Sequence, residues 1–281
     1  MDSSRAGSER KHRHSALPLA MLVVLVVLCG ATLWSCGGSS GNGGPSSSDG
    51  SQHVEIVLSA AADLSPVLAE IKPLFEKATG VALKTNVGST GQLRQQIESG
   101  ARVDVFLAAS TAAIDQLARK NLLVPGSAEI YARGRLAIWT RAGSSAAPKT
   151  LQDLTSADVR RISIANPDHA PYGQAAREAL ESAGLWAELQ PKLVPAENVL
   201  QAFQFAQTGN VDVGLVALSL VATVEGAYEL VPETLHKPIS QEMAIIASST
   251  HQVESRQFTA FLTGDKGREI LKKYGFILPG K

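Results

Sequence analysis

Beyond residue 53 the apolar positions follow two periods that take turns along the chain. Val54, Ile56 and Leu58 alternate with polar neighbours and predict a short strand. Val67, Leu68, Ile71 and Phe75 then recur at helical spacing, which predicts a helix over about 64–79, with Gly80 placed as its C-cap. The succession repeats: a strand over 82–87, the loop Gly88-Ser89-Thr90-Gly91, a helix to about 99, a buried strand over 103–109 and a helix over 111–120. A second block holds strands at 135–140, 161–165 and 213–218, with helices after Pro171 and after Asn198. A strand at 241–247 and helices near 254–262 and 266–274 finish the pattern. Strands alternating with helices predict an α/β fold with a mostly parallel sheet and crossover helices. No fixed-period repeat is visible.

The first 52 residues follow a different pattern. Arg10, Lys11 and Arg13 precede an apolar run from Ala16 to Leu33, and Leu33-Trp34-Ser35-Cys36 and a Gly/Ser tract follow it. Positive charge, an apolar core and a small residue at the end read as a secretory signal. Ser35-Cys36 resembles a bacterial lipobox, which makes residues 1–36 a lipoprotein signal and Cys36 the expected lipidation site. Residues 37–52 hold nothing that could join a core. They read as a flexible tether with a reach of roughly 20 Å.

Residues 53–281 carry 22 Lys and Arg against 23 Asp and Glu. So even a balance argues against nucleic acid or an anionic membrane surface as partner, since both need a basic footprint. Both cysteines, Cys29 and Cys36, lie in the signal region, so no disulfide can brace the folded part. His169 and His236 lack metal-ligand spacing, and the Ser89-Thr90 loop lacks the lysine of a nucleotide-binding loop. No cofactor is implied.

Four segments place small or hydroxyl residues between a strand end and a helix start: Ala60-Ala61-Ala62-Asp63-Leu64, Gly88-Ser89-Thr90-Gly91, Ala170-Pro171-Tyr172-Gly173 and Glu197-Asn198-Val199. Any one of them alone is an ordinary helix cap. Together they suggest an anion site, because helix starts offer unpaired N–H groups and a positive dipole end without a charged side chain. In open α/β sheets, ligands lie beyond the carboxyl ends of the strands.

These segments, with Gln92-Leu93, Gln96-Ile97, Gly100 to Phe106, Asn166-Pro167, Gln201-Ala202 and Lys273-Tyr274-Gly275-Phe276, resemble the periplasmic molybdate-binding protein family over about residues 53–281. The resemblance implies a two-lobed periplasmic-binding-protein fold with two crossover strands and a central cleft. Lobe one would comprise about 53–134 and 239–281, and lobe two about 135–238. It implies a monomeric, lipid-anchored extracytoplasmic protein, not an enzyme, that captures molybdate or tungstate for an ABC-transporter permease and its ATPase. Carried over by motif, the ligand contacts fall on Ala62, Asp63, Ser89, Thr90, Tyr172 and Val199, all through hydroxyls or backbone N–H groups.

Two positions depart from the family. Its first loop usually ends in a serine donor where this chain has Asp63. A carboxylate there repels an anion by about 4 kcal/mol per ligand charge at ~4 Å and an effective dielectric of about 20. The sequence reading therefore turns Asp63 away as a helix cap, or has it accept a proton from a protonated ligand. Some members also place a ligand tyrosine after the Gly-x-Val strand, where Ala217 stands, and Tyr172 is expected to supply that hydroxyl. The alternatives are a phosphate- or sulfate-binding protein of the same fold and, further off, a secreted hydrolase using Ser89 or Thr90.

Overall fold

The computed structural model describes residues 54–280, so the signal, Cys36 and the whole tether lie outside the described residues. The first sheet contains β1 (Glu55–Ala61), β2 (Ala82–Gly88), β3 (Val105–Ala108), β4 (Glu129–Gly134) and, much later in the chain, β10 (Ile239–Ile245). Between them run α1 (Ser65–Thr79), α2 (Thr90–Glu98) and α3 (Thr111–Arg119). The second sheet contains β5 (Leu136–Thr140), β6 (Ile162–Ala165), β7 (Leu193–Ala196), β8 (Val213–Ala217) and β9 (Ala227–Leu230). Its helices are α4 (Pro171–Ser182), α5 (Trp186–Leu189), α6 (Val199–Gln207) and α7 (Leu218–Val221). The chain ends with α8 (Gln252–Thr263) and α9 (Asp265–Lys273), which return to the first sheet.

The strand orders are β2-β1-β3-β10-β4 and β7-β6-β8-β5-β9. Both sheets are mixed, although most of the strands in each run one way, as the alternation predicts. In each, four strands run one way and one runs against them: β10 pairs antiparallel with β3 and β4, and β5 with β8 and β9. The exceptions flank the two passages between the sheets. One passage is the single residue Arg135 between β4 and β5, and the other is residues 231–238 between β9 and β10. Neither holds a crossover α-helix of the kind that joins parallel neighbours.

The apolar spacing of α1 does what it predicts. Val67, Leu68, Ile71 and Phe75 are all buried, and Phe75 meets the rings of Phe258 and Phe261 edge-on at 5.5 and 5.6 Å. Gly80 takes φ +74° and its N–H donates to the Glu76 carbonyl, the left-handed closure a C-cap glycine provides. Helices cover both faces of the first sheet, α1, α8 and α9 on one side and α2 and α3 on the other. A third core, around Trp139, Phe203 and Leu215, holds the second sheet. Among the described residues no helix is long and apolar enough to cross a membrane.

Candidate functional site

The four small-residue segments meet at one small pocket between the two sheets. Its wall is made by Ala61–Asp63 at the end of β1, Gly88–Thr90 between β2 and α2, Ala170–Tyr172 at the start of α4, and Asn198–Val199 at the start of α6, with Ala109 beside them. All six residues named as contacts from the sequence, Ala62, Asp63, Ser89, Thr90, Tyr172 and Val199, therefore line the same space. They are buried. Cys36 lies outside the described residues.

Each segment supplies something different. The Asn198 side chain accepts from the Gln201 N–H at 3.0 Å and caps α6, while Glu197 N–H donates to the Gln201 side chain at 2.7 Å. This fixes the first turn and leaves the Val199 N–H among the groups with no acceptor inside the helix. Thr90 Oγ1 accepts the Ala109 N–H at 3.1 Å, so its own proton is free for another acceptor. Ser89 is turned otherwise. Its hydroxyl donates to the His169 carbonyl at 2.6 Å and lies 2.8 Å from His169 Nδ1, so its proton goes to the opposite wall of the cleft.

Asp63 corrects the sequence reading. It caps neither the short 3-10 turn Ala62–Leu64 nor α1. Its Oδ2 accepts from Gln241 Nε2 at 2.7 Å and from the Tyr172 hydroxyl at 2.9 Å, and Tyr131 donates to Gln241 Oε1 at 3.3 Å. Tyr172 thus gives its proton to Asp63, not to the pocket as expected. Gly134 makes this possible, since a Cβ there would stand 2.0 Å from the Tyr172 hydroxyl oxygen. Asp63 Oδ1 is buried with no partner among the described residues. Burial raises the Asp63 carboxyl to about 6, against the downward pull of Tyr172, its own N–H and Gln241. Tyr131 and Tyr172 are pushed well above the ordinary tyrosine value, first by burial and then by the charge of Asp63.

More bonds close the cleft around the pocket. The Gly91 N–H donates to the His169 carbonyl at 2.9 Å, Gln92 Nε2 donates to Glu197 Oε2 at 2.8 Å, and the Ser219 hydroxyl donates to the Asp63 carbonyl at 2.8 Å. The pocket's free N–H and O–H groups suit the oxygens of an anion. Among the described residues no group of three or more His, Cys, Asp or Glu could hold a metal cation.

Residues 56–277 match the family described as bacterial extracellular solute-binding protein. The chain belongs to that family. A molybdate-binding protein of Rhodobacter capsulatus is 35% identical, over 79% of this chain and 88% of its own length. One from Azotobacter vinelandii is 34% identical, over 90% and 97%. The solved structure of the Azotobacter vinelandii periplasmic molybdate-binding protein superposes with a TM-score of 0.77 at 30% identity, covering 80% of this chain and all of that one. The chain is thus an extracytoplasmic solute-binding protein, not an enzyme, and the hydrolase alternative falls.

Several residues of this solute-binding protein's cleft escape sequence reasoning. His169, Glu197 and Ser219 meet partners 80, 105 and 156 positions away, and no local pattern announces such pairs. Gln241 did leave a signal. Ile239, Gln241, Met243 and Ile245 share the buried face of β10, and a polar side chain on an otherwise apolar inward face calls for a buried partner.

Proposed function

We propose that this solute-binding protein captures molybdate or tungstate outside the cytoplasm and delivers it to an ABC-transporter permease driven by its ATPase. The observation that carries the reading is the convergence of four segments, all at helix or 3-10 starts, on one small buried pocket. Such starts bind a tetrahedral dianion through backbone N–H groups and dipole ends. Thr90 adds a hydroxyl with its proton uncommitted. A neutral donor set also avoids a buried cation that would be left unpaired whenever the site empties. The molybdate-binding relatives named above support the same choice of ligand. The protein acts as a monomer and needs no cofactor. Cys36 carries the lipid anchor, and residues 37–52 give the binding domain its reach from the membrane.

Calorimetric titration of the purified chain with molybdate, tungstate, sulfate and phosphate tests the ligand. Molybdate and tungstate are expected to bind tightly, and sulfate and phosphate weakly. Preferential binding of sulfate or phosphate would overturn the assignment.

A further inference from the structure

Asp63 is the one feature of the pocket that an anion site should not contain. It is fully buried, it lines the pocket, and no ion pair reaches it among the described residues. The elements packed around it offer Tyr131 from β4, Tyr172 from α4, Gln241 from β10 and Ser219 from α7. The titratable groups among these are the two tyrosines, which are neutral, so no cation offsets the carboxylate. Its two oxygens are unequal. Oδ2 takes two hydrogen bonds and Oδ1 has none.

We propose that the site takes up its oxyanion together with one proton, shared between Asp63 and the bound anion. The inference rests on the anion-binding reading above and deepens it. A proton on Oδ1 leaves the bonds from Tyr172 and Gln241 to Oδ2 intact. It also turns Oδ1, a buried oxygen with no partner among the described residues, into an O–H donor. The carboxylate and a dianion otherwise lie close together in a buried pocket, where charges are little screened. The balance is simple: one solution proton joins the carboxylate as the anion enters, and the same proton leaves when the anion is handed on. Whether it resides on the carboxyl or on a ligand oxygen does not change that balance.

Burial already holds the free carboxyl at about 6, and a neighbouring anion raises it further. Below about pH 6 the proton is in place before binding, and affinity is level. Above it, each binding event draws in one proton, and affinity falls about tenfold per pH unit until the pKa of the complex is passed.

The test is calorimetric titration of the intact parent chain with molybdate and with tungstate, from about pH 6 to about pH 9, in buffers of contrasting ionisation heat. Uptake of close to one proton and a Kd rising about tenfold per pH unit are expected of the parent. Asp63→Asn keeps the shape of the side chain but cannot titrate, and it should bind without proton uptake and with a flat pH profile. Tight binding by the parent with no uptake and no slope would overturn this inference and leave the anion-binding reading standing. So would an Asp63→Asn variant that keeps the parent's slope. Failure of the parent to bind either anion at any pH would overturn both.

Discussion

At the scale of single residues, Asp63 governs stability as well as binding. Its carboxyl rises from 3.8 to about 6 in the folded chain, chiefly through burial. Between those values the folded chain keeps a proton that the unfolded chain has released. The stabilisation linked to that proton is complete below about pH 4 and lost as pH climbs through about 6. A rise of that size corresponds to roughly 3 kcal/mol. Asp63→Asn should therefore match the parent more closely at acid pH and gain on it as pH rises to neutrality. Thermal melts of both proteins without ligand, across that range, check this, and parallel melting curves at every pH would exclude it. Thr90 bears on binding through its uncommitted proton, while its Oγ1 also holds the buried Ala109 N–H. A hydrogen bond to a charged partner contributes ~1.5–3 kcal/mol, so Thr90→Val should weaken molybdate binding roughly 10- to 150-fold. Titration of the variant reads this directly, and an unchanged Kd would remove Thr90 from the contacts.

At the scale of elements, the first turn of α2 carries a close approach that only glycine allows. A Cβ on Gly91 would stand 2.7 Å from the His169 carbonyl oxygen, the atom that accepts the Gly91 N–H. Gly91→Ala should hold the two walls apart and weaken binding roughly 5- to 150-fold, matching the ~1–3 kcal/mol that overpacking costs. Full affinity in that variant, by the same titration, would show that the walls close without this contact. The elements also show how far the sequence could be read. The long helices and central strands follow from periodicity because both their faces or one full stripe are buried. The strands with no prior expectation, β4, β7 and β9, are all sheet edges. Tyr228 on β9 and Ile130 on β4 stand in solvent, and β7 carries Pro195, which an edge strand tolerates because one side makes no ladder bonds. An edge leaves a weak apolar signal for the same reason it is an edge. The pocket was legible because its donors are helix starts with local signatures. The Asp63–Gln241–Tyr131 chain was not, because those partners come from strands far apart in sequence.

At the scale of the whole molecule, two passages join the halves, and hydrogen bonds across the cleft hold them together. These bonds differ in their surroundings. Tyr172–Asp63 and Ser219–Asp63 are buried, whereas Gln92–Glu197 lies in solvent at the rim. A buried bond cannot be exchanged for water while the cleft stays shut, so the inner pair sets the geometry of closure. The rim bond trades with water easily and contributes on the order of 0.5–1.5 kcal/mol. Its removal should shift the balance between open and closed forms without touching any group that faces the ligand. Gln92→Ala is therefore expected to weaken molybdate binding by only a few-fold, and to do so through faster release, since association depends on the open form. Rapid-mixing measurement of the two rate constants separates these effects. A release rate equal to the parent's, with slower association, would mean that Gln92 and Glu197 guide the anion in and do not hold the cleft shut.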